Sequence, residues 1–295
     1  MSAPNSFRTS GYSAAAAATA VGDPLQAALS LHSQGRLQEA LEVLSGPGEF
    51  SADVYTLRGD LLVELGQLTD AAGSYYTATV QAPSNLYARS HLGSCLRRLA
   101  RWEPAAEAFQ GVLDADPHRD PIRLELGDCL LRLNRLEKAL DCFDQCWSAA
   151  AQRQALFGKG VALQLLRRFD EAEIVYERVL ALDGKAEEAL ANLVALSMEV
   201  FDLERVQRYS RRLVEVNPHS VPGLQGLTLV AVERGDMATA ASHFSILSQQ
   251  APESVCFART ASDEDVMEYR VSPKALERIR ECISSLPAQP AARRY

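Results

Sequence analysis

A short phrase recurs along this chain at a nearly constant interval, and no other feature constrains the fold as strongly. The phrase reads RWEPAAEAFQGVLDADP at residues 101–117, RLEKALDCFDQCW at 135–147 and RRFDEAEIVYERVLALD at 167–183. Aligned on one small residue, seven copies follow one another at intervals of 31, 34, 34, 33, 34 and 34 residues. The aligned residues are Ala40, Ala71, Ala105, Ala139, Ala172, Val206 and Ala240. Such a period predicts an array of about seven repeats over residues 21–254 rather than one compact core.

Each repeat is predicted to contain two antiparallel helices, named A and B in chain order. The recurring phrase forms helix B. About a dozen residues before it lies a second phrase, such as RSHLGSCLRRLAR, with apolar residues three and four apart. Small residues recur in this A phrase, and we expect Gly93, for example, to face Ala105 where the helices cross. C-cap residues are expected at Gly66, Asn134 and Gly235, and the prolines that end helix B are Pro83, Pro117, Pro218 and Pro252.

This pattern resembles the tetratricopeptide repeat, a helical pair of about 34 residues with small residues on both helices, an aromatic residue on helix B and a closing proline. The aromatic residues are Tyr75, Phe109, Phe143, Tyr176 and Phe244. The resemblance covers most of the chain and implies an all-α fold, a right-handed superhelical solenoid of antiparallel helix pairs. The chain departs from the family pattern at Val194 and Thr228, where glycine is expected, and at Ala151 and Gly184, where proline is expected.

The segments outside the array carry no repeat. Residues 1–20 form a Ser/Ala-rich stretch that we expect to be a flexible leader. Within residues 255–286, an irregular acidic segment precedes SPKALERIRECISSL, which is predicted to be a helix that caps the exposed apolar end of the stack. Residues 287–295 are predicted to be a loose tail.

Composition argues against several classes of partner and site. A formal net charge of −8 opposes binding to duplex nucleic acid, and no window approaches the roughly 18 apolar residues needed for membrane insertion. The six cysteines are too sparse for a secreted disulfide scaffold and are expected to fill packed positions in a cytoplasmic protein. The five histidines show no metal-ligand spacing, and no catalytic motif is present. We therefore expect no enzyme activity, no metal and no cofactor.

The resemblance implies that the A helices build a concave groove that holds extended peptides or partner helices. Groove positions of the middle repeats, with arginines near the end of helix A, are predicted to bind the partner. They are Tyr87, Ser90, Ser94, Arg97, Arg98, Arg101, Asp128, Arg132, Gln154, Phe157 and Gln164. Toward its C-terminal end the groove is predicted to become apolar, at Ala191, Ala195, Met198, Leu229 and Val232. An acidic or polar segment followed by apolar anchors would match such a surface.

The arginines near the end of helix A recur in three successive repeats and allow two interpretations. They are Arg97, Arg98, Arg101, Arg132, Arg135, Arg167 and Arg168. One interpretation is a basic ridge that docks acidic groups of a partner protein. The other is that cations compensate the negative end of the helix dipole.

The favoured function is a non-enzymatic adaptor that binds a peptide segment or partner helix of another protein and holds it within an assembly. Two alternatives stay open. One is a regulatory or targeting subunit of an enzyme complex, which would co-purify with the enzyme. The other is a structural scaffold that associates with itself, which would show a mass that rises with concentration.

Overall fold

The computed structural model describes residues 23–45 and 50–250, with the side chains of 248–250 left out. The leader at 1–20, the segment and capping helix at 255–286 and the tail at 287–295 lie outside these residues, as do Pro252, Cys256 and Cys282. The described residues are all-α and contain no strand.

Fourteen helices lie in the described part of the chain, and they form two compact units that divide between Ala162 and Leu163. The first-unit helices are α1 (Pro24–Ser33), α2 (Leu37–Val43), α3 (Ala52–Glu64), α4 (Leu68–Gln81), α5 (Leu86–Arg98), α6 (Trp102–Ala115), α7 (Asp120–Arg132) and α8 (Leu136–Asp144). Helix α9 (Ala149–Leu165) contains the boundary. The second unit holds α10 (Phe169–Leu182), α11 (Glu187–Glu199), α12 (Leu203–Val216), α13 (Val221–Glu233) and α14 (Met237–Gln250).

Within each unit the helices pack in the order of the chain. In the first unit every helix from α2 to α8 packs on the helix before it. Two pairs of successive A helices also contact each other, α1 with α3 and α5 with α7. In the second unit α10 to α14 pack in the same sequential way, and α11 contacts α13. Odd-numbered helices are therefore the A helices and even-numbered helices the B helices, as the period predicts.

Every turn from helix A to helix B contains one residue with positive φ. These residues are Gly35, Gly66, Ala100, Asn134, Arg167, Phe201 and Gly235, with φ between 55° and 78°. Their spacing repeats the intervals of the sequence phrase. The residues expected as C-caps, Gly66, Asn134 and Gly235, directly follow the C-cap residues Leu65, Leu133 and Arg234. After α5, the Arg101 amide donates to the Leu96 carbonyl (2.8 Å) and the Ala100 amide to the Arg97 carbonyl (3.0 Å), which is the Schellman arrangement.

The glycines of the A helices make room for the aromatic rings of the B helices. A Cβ added at Gly93 would lie 2.7 Å from the Phe109 ring, and one added at Gly127 would lie 2.5 Å from the Phe143 ring. Such distances are far below van der Waals contact, so any larger residue would displace the ring. The nearest partner of Gly93 is thus an aromatic ring, where the sequence led us to expect Ala105.

Helix α8 ends a full turn earlier than the phrase at 135–147 suggests. Asp120 and Arg123 are both buried, and Arg123 Nη1 donates to Asp120 Oδ1 over 2.9 Å. Asp120 Oδ2 accepts from the backbone amides of Trp147 (3.2 Å) and Ser148 (2.7 Å). Burial alone would raise the pKa of Asp120, but these hydrogen bonds outweigh it and hold the pKa below its usual value. The carboxylate thus anchors the α8–α9 connection, where Ala151 replaces the expected proline.

Candidate functional site

The exposed side of helices α3, α5 and α7 in the first unit, called the A face below, carries most of the predicted binding residues. At one end, Asp60 Oδ1 accepts from the Tyr75 hydroxyl (2.6 Å) and from the Tyr87 hydroxyl (3.1 Å). The His91 ring packs against both tyrosine rings. The Tyr87 proton is thus committed to Asp60.

Two serines continue the A face along α5, and their protons are also committed. The Ser90 hydroxyl donates to the Tyr87 carbonyl (2.8 Å), and the Ser94 hydroxyl donates to the Ser90 carbonyl (3.1 Å). Both side chains are partly exposed. Each oxygen keeps a lone pair for an incoming N–H group, so this part of the face suits the backbone amides of an extended chain.

An ion pair connects neighbouring repeats across the A face. The Arg97 guanidinium on α5 contacts the Glu125 carboxylate on α7. Burial raises the pKa of Glu125, while Arg97 favours the charged form and opposes the shift. Asp128, one helical turn after Glu125, is exposed. Arg97 therefore has an internal partner, although the sequence groups it with the partner-binding arginines.

The remaining arginines of the series divide into paired and unpaired residues. Arg135 binds Glu103 (2.9 Å), Arg167 binds Glu199 (2.8 Å) and Arg168 binds Glu171 (2.7 Å). Within the described part of the chain, Arg98, Arg101 and Arg132 have no carboxylate within ion-pair distance, and all three are exposed.

The unpaired arginines do not share one surface. The Arg132 guanidinium lies 5.6 Å from the centre of the Trp102 ring, within reach of a cation–π contact. Arg98 ends α5 and Arg132 ends α7, so they hold equivalent positions on neighbouring A helices. Arg101 instead lines a groove between the B helices α4 and α6.

The predicted residues of α9 differ in exposure. Gln154 is exposed and Phe157 is half-buried, both in the first unit. Gln164, in the second unit, is buried, and its side-chain oxygen accepts from the Tyr176 hydroxyl (3.1 Å), which in turn accepts from Asn192 (3.0 Å). Gln164 thus belongs to an internal hydrogen-bond network.

The predicted apolar part of the groove is mostly covered. Ala195, Leu229 and Val232 are buried within the second unit, and Ala191 and Met198 are half-buried. Neighbouring A helices α11 and α13 contact one another there. These side chains contribute to packing between repeats, which leaves little apolar surface for a partner.

Two grooves on the B-helix side of the first unit were not expected. One, of about 520 Å³, lies between α4 and α6 above α5, and the other, of about 720 Å³, lies between α6 and α8 above α7. A signal was present in the sequence of α4, LTDAAGSYYTATVQ, because its one charged residue is Asp70 and its Tyr76 is exposed.

The described residues offer little for catalysis. No group of three or more His, Cys, Asp or Glu side chains among them could hold a metal ion. Burial raises the pKa of four thiols to about 11, so these cysteines are protonated and poorly nucleophilic at neutral pH. They are Cys95, Cys129, Cys142 and Cys146.

The alternating A and B helices define an all-α repeat fold built from helix pairs. Family models described as tetratricopeptide repeat match residues 56–120, 101–162 and 155–190. The chain is a tetratricopeptide repeat protein, and its fourteen described helices correspond to about seven repeats. Repeats of this family are protein-interaction modules, so the chain belongs among interaction scaffolds.

Solved structures share this fold at low sequence identity. The C-terminal part of a TPR repeat-containing protein from Cytophaga hutchinsonii is 15% identical, with a TM-score of 0.64 over 86% of this chain and 99% of that chain. PilW, a type IV pilus biogenesis factor, is 20% identical, with a TM-score of 0.58 over 68% and 94%. YrrB, a TPR protein with an unusual peptide-binding site, is 18% identical, with a TM-score of 0.54 over 68% and 97%.

Curated protein sequences gave no match to this chain. Among the described helices, none combines the length and the apolar character needed to cross a bilayer.

Proposed function

We propose that the A face of the first unit binds an extended, acidic peptide segment of another protein, which makes the chain a non-enzymatic cytoplasmic adaptor. The observation that carries this proposal is the pair formed by Arg98 and Arg132. Both arginines are exposed, and no carboxylate of the described residues lies within ion-pair distance of either guanidinium, although Asp128 on α7 is near enough to Arg132 for the two charges to interact. Compensation of a helix dipole does not require two exposed arginines outside any ion pair in equivalent places on neighbouring helices.

The spacing of these arginines specifies the peptide. Helices in contact, as α5 and α7 are, lie about 8–10 Å apart. In a polyproline-type extended chain, residues i and i+3 point the same way and lie about 9 Å apart. An acidic residue, two intervening residues and a second acidic residue would therefore place one carboxylate against each guanidinium.

The oxygen acceptors of the A face support the same ligand. Ser90 and Ser94 direct their protons to backbone carbonyls and leave lone pairs for the backbone amides of an extended segment. The YrrB structure shows that a protein of this fold carries a peptide-binding site.

A displayed library of random extended peptides, selected on the full-length protein, tests the proposal. We expect enrichment of peptides with acidic residues three positions apart. Affinity measured by titration should fall at least tenfold in Arg98→Glu/Arg132→Glu. The control is Arg178→Glu/Arg211→Glu, which makes the same charge change at exposed positions on B helices of the second unit. If both double variants lose affinity equally, the binding reflects net charge and the proposed site is wrong.

A further inference from the structure

The groove between α4 and α6 has an apolar floor, and its lining also includes the charged residues Arg89, Arg101 and Glu107. The floor is formed by Leu92 and Leu96 of α5 and by Leu99, the C-cap residue of that helix. Gly73 and Tyr76 of α4 line one wall, and Tyr76 is 61% exposed. Covering this exposed aromatic surface with a partner would be favourable, because it removes apolar area from water.

Equivalent positions in other repeats show that this surface is unusual within the chain. The place of Tyr76 is taken by Gln110, Asp144, Glu177 and Arg211 in the following four repeats. The place of Gly73 is taken by Glu107, Asp141, Arg208 and Ser242 in the third, fourth, sixth and seventh repeats, but by Ile174, which is 62% exposed, in the fifth. The place of Tyr76 is therefore polar or charged in the next four repeats, and α4 differs from them by an exposed aromatic residue that lines the groove.

Neighbouring B helices elsewhere are bridged by ion pairs. Arg135 of the fourth repeat binds Glu103 of α6 over 2.9 Å. Arg205 of α12 binds Glu173 of α10 over 2.6 Å, and Tyr209 donates to Glu173 over 2.8 Å. Within the described residues no ion pair joins α4 to α6. No ion pair between described residues thus spans the groove above α5, and Leu92 and Leu99 of its floor are partly exposed, whereas Leu96 is buried.

Two arginines that line this groove, Arg89 and Arg101, differ in whether their guanidinium groups are already bonded within the protein. The Arg89 guanidinium is occupied, because it donates to the Gly111 carbonyl (3.1 Å) and the Pro83 carbonyl (2.9 Å). Arg101, which lines the groove at the start of α6, is exposed and has no carboxylate partner in the described part of the chain. A ligand with an apolar face would therefore gain an ion pair by placing a carboxylate at that end.

We propose that this groove binds one amphipathic helix of a partner protein, with an acidic residue over Arg101. The lining residues of α4 run from Thr69 to Thr79, a length of about 15 Å, or three helical turns. Apolar side chains at positions i, i+4 and i+7 of a partner helix would follow the leucine floor over that distance. This site is separate from the A face and requires a helix, whereas the A face is proposed to bind an extended segment.

A displayed library of single helices with a randomised exposed face, selected on the full-length protein, tests the site. We expect enriched helices to carry an apolar stripe and an acidic residue near one end. Gly73→Glu should weaken their binding at least tenfold, because it places a carboxylate on the groove wall. It should not disturb the fold, since no atom lies within 4 Å of a Cβ added at Gly73 and glutamate favours helix more than glycine does.

Three further variants test whether the helix binds in this groove and not elsewhere on the protein. Ser242→Glu, at the equivalent exposed position of α14, should leave binding unchanged. Arg101→Glu should weaken binding at least tenfold, and replacing the acidic residue of the selected helix by lysine should restore it. Arg98→Glu/Arg132→Glu should have no effect on helix binding, so the two proposed sites can fail independently. Equal binding to Gly73→Glu and wild type, no enriched helix, or selection of extended peptides only would overturn the proposal.

Discussion

His91 occupies a position where a charge is costly. Its ring centre lies 5.5 Å from that of Tyr75 and 4.2 Å from that of Tyr87. Burial lowers the pKa of the His91 imidazole below 6.5, and the nearby Asp60 carboxylate opposes this shift without cancelling it. The folded protein therefore keeps His91 neutral at pH values where an unfolded chain would protonate it.

We expect stability to fall as the pH drops below 6.5. Between pH 6.5 and the lower pKa of the folded state, His91 is protonated in the unfolded chain but neutral in the folded protein. Proton binding then favours the unfolded state, so the free energy of unfolding decreases as the pH falls through this range. Urea unfolding at pH 7.5 and 5.5 measures the difference in free energy. His91→Gln should make this difference smaller. An undiminished difference in His91→Gln would show that other groups cause the pH dependence.

The arginine series shows what a sequence can predict at the scale of one residue. The recurrence of arginine near the end of helix A was evident, and so was the choice between a partner site and dipole compensation. Which arginines are internally paired was not evident, because Arg97 and Glu125 are 28 positions apart and meet only when successive repeats stack. The repeat pattern thus identified the positions of the arginines. Which of them form ion pairs with carboxylates is decided by the packing of the repeats.

The A–B turns impose the same backbone conformation on different residues. Gly35, Gly66 and Gly235 adopt positive φ at little cost, whereas Ala100 and Phe201 adopt φ of 56° against the preference of an L-residue. A side chain in this conformation costs about 1–2 kcal/mol. The third, fifth and sixth repeats therefore keep strained turns at Ala100, Arg167 and Phe201, the fourth has the more tolerant Asn134, and the others use glycine.

Ala100→Gly is expected to stabilise the protein by up to about 1 kcal/mol, because relief of the strained turn outweighs the added freedom of the unfolded chain. Ala27→Gly makes the same exchange at an exposed position inside α1 and should destabilise it by about 0.5–1 kcal/mol. Denaturant unfolding monitored by helical circular dichroism would measure both. A loss of stability in Ala100→Gly would mean that the turn does not hold the strained conformation.

The helix pairs were predictable as elements, but some of their ends and contacts were not. Periodic apolar residues and C-cap signals located the A and B helices and the turns between them. The early end of α8 depends on the buried Asp120–Arg123 pair, which captures backbone amides 27 and 28 residues away. The helix propensities of residues 136–147 contain no information about a contact with residues so far away in the sequence. The contact between Gly93 and the Phe109 ring, where Ala105 was expected, likewise depends on how α5 packs against α6.

The first unit has a series of small cores in place of one large core. One apolar cluster joins α1, α2 and α3, a second includes Leu62, Tyr75 and Cys95, and a third includes Phe109, Leu126 and Phe143. Each cluster is shared by neighbouring repeats. Stability in such an array is close to a sum of repeat and interface contributions, so damage should stay near its source.

Phe109→Leu is expected to destabilise the protein by about 1–2 kcal/mol, because it leaves space beside Gly93 in the third cluster. Amide hydrogen exchange should accelerate in α5 to α8 and change little in α1 and α2. Mass spectrometry of exchanged peptides would map the effect. An equal acceleration in all helices of the first unit would show that it unfolds as one cooperative body.

The array as a whole was the most predictable feature, because a period of 34 residues is visible in any part of it. The grooves on the B-helix side were not predicted, since the family resemblance implies a binding face on the A helices. Tyr76 could have indicated the α4–α6 groove through comparison of equivalent positions alone. The partly exposed floor beneath it is a property of the packed structure.

The repeated turn conformation has a consequence for how such a chain changes its length. Ala100 and Asn134 have φ of 56° and 55°, and the residues that follow them, Arg101 and Arg135, have φ of −89° and −94° with ψ of 71° and 64°. If residues 101–134 were removed, Arg135 would follow Ala100 directly. Its backbone angles already match those of Arg101, which follows Ala100 now. Gene duplication or loss between equivalent corners therefore adds or removes a whole repeat without creating a strained joint.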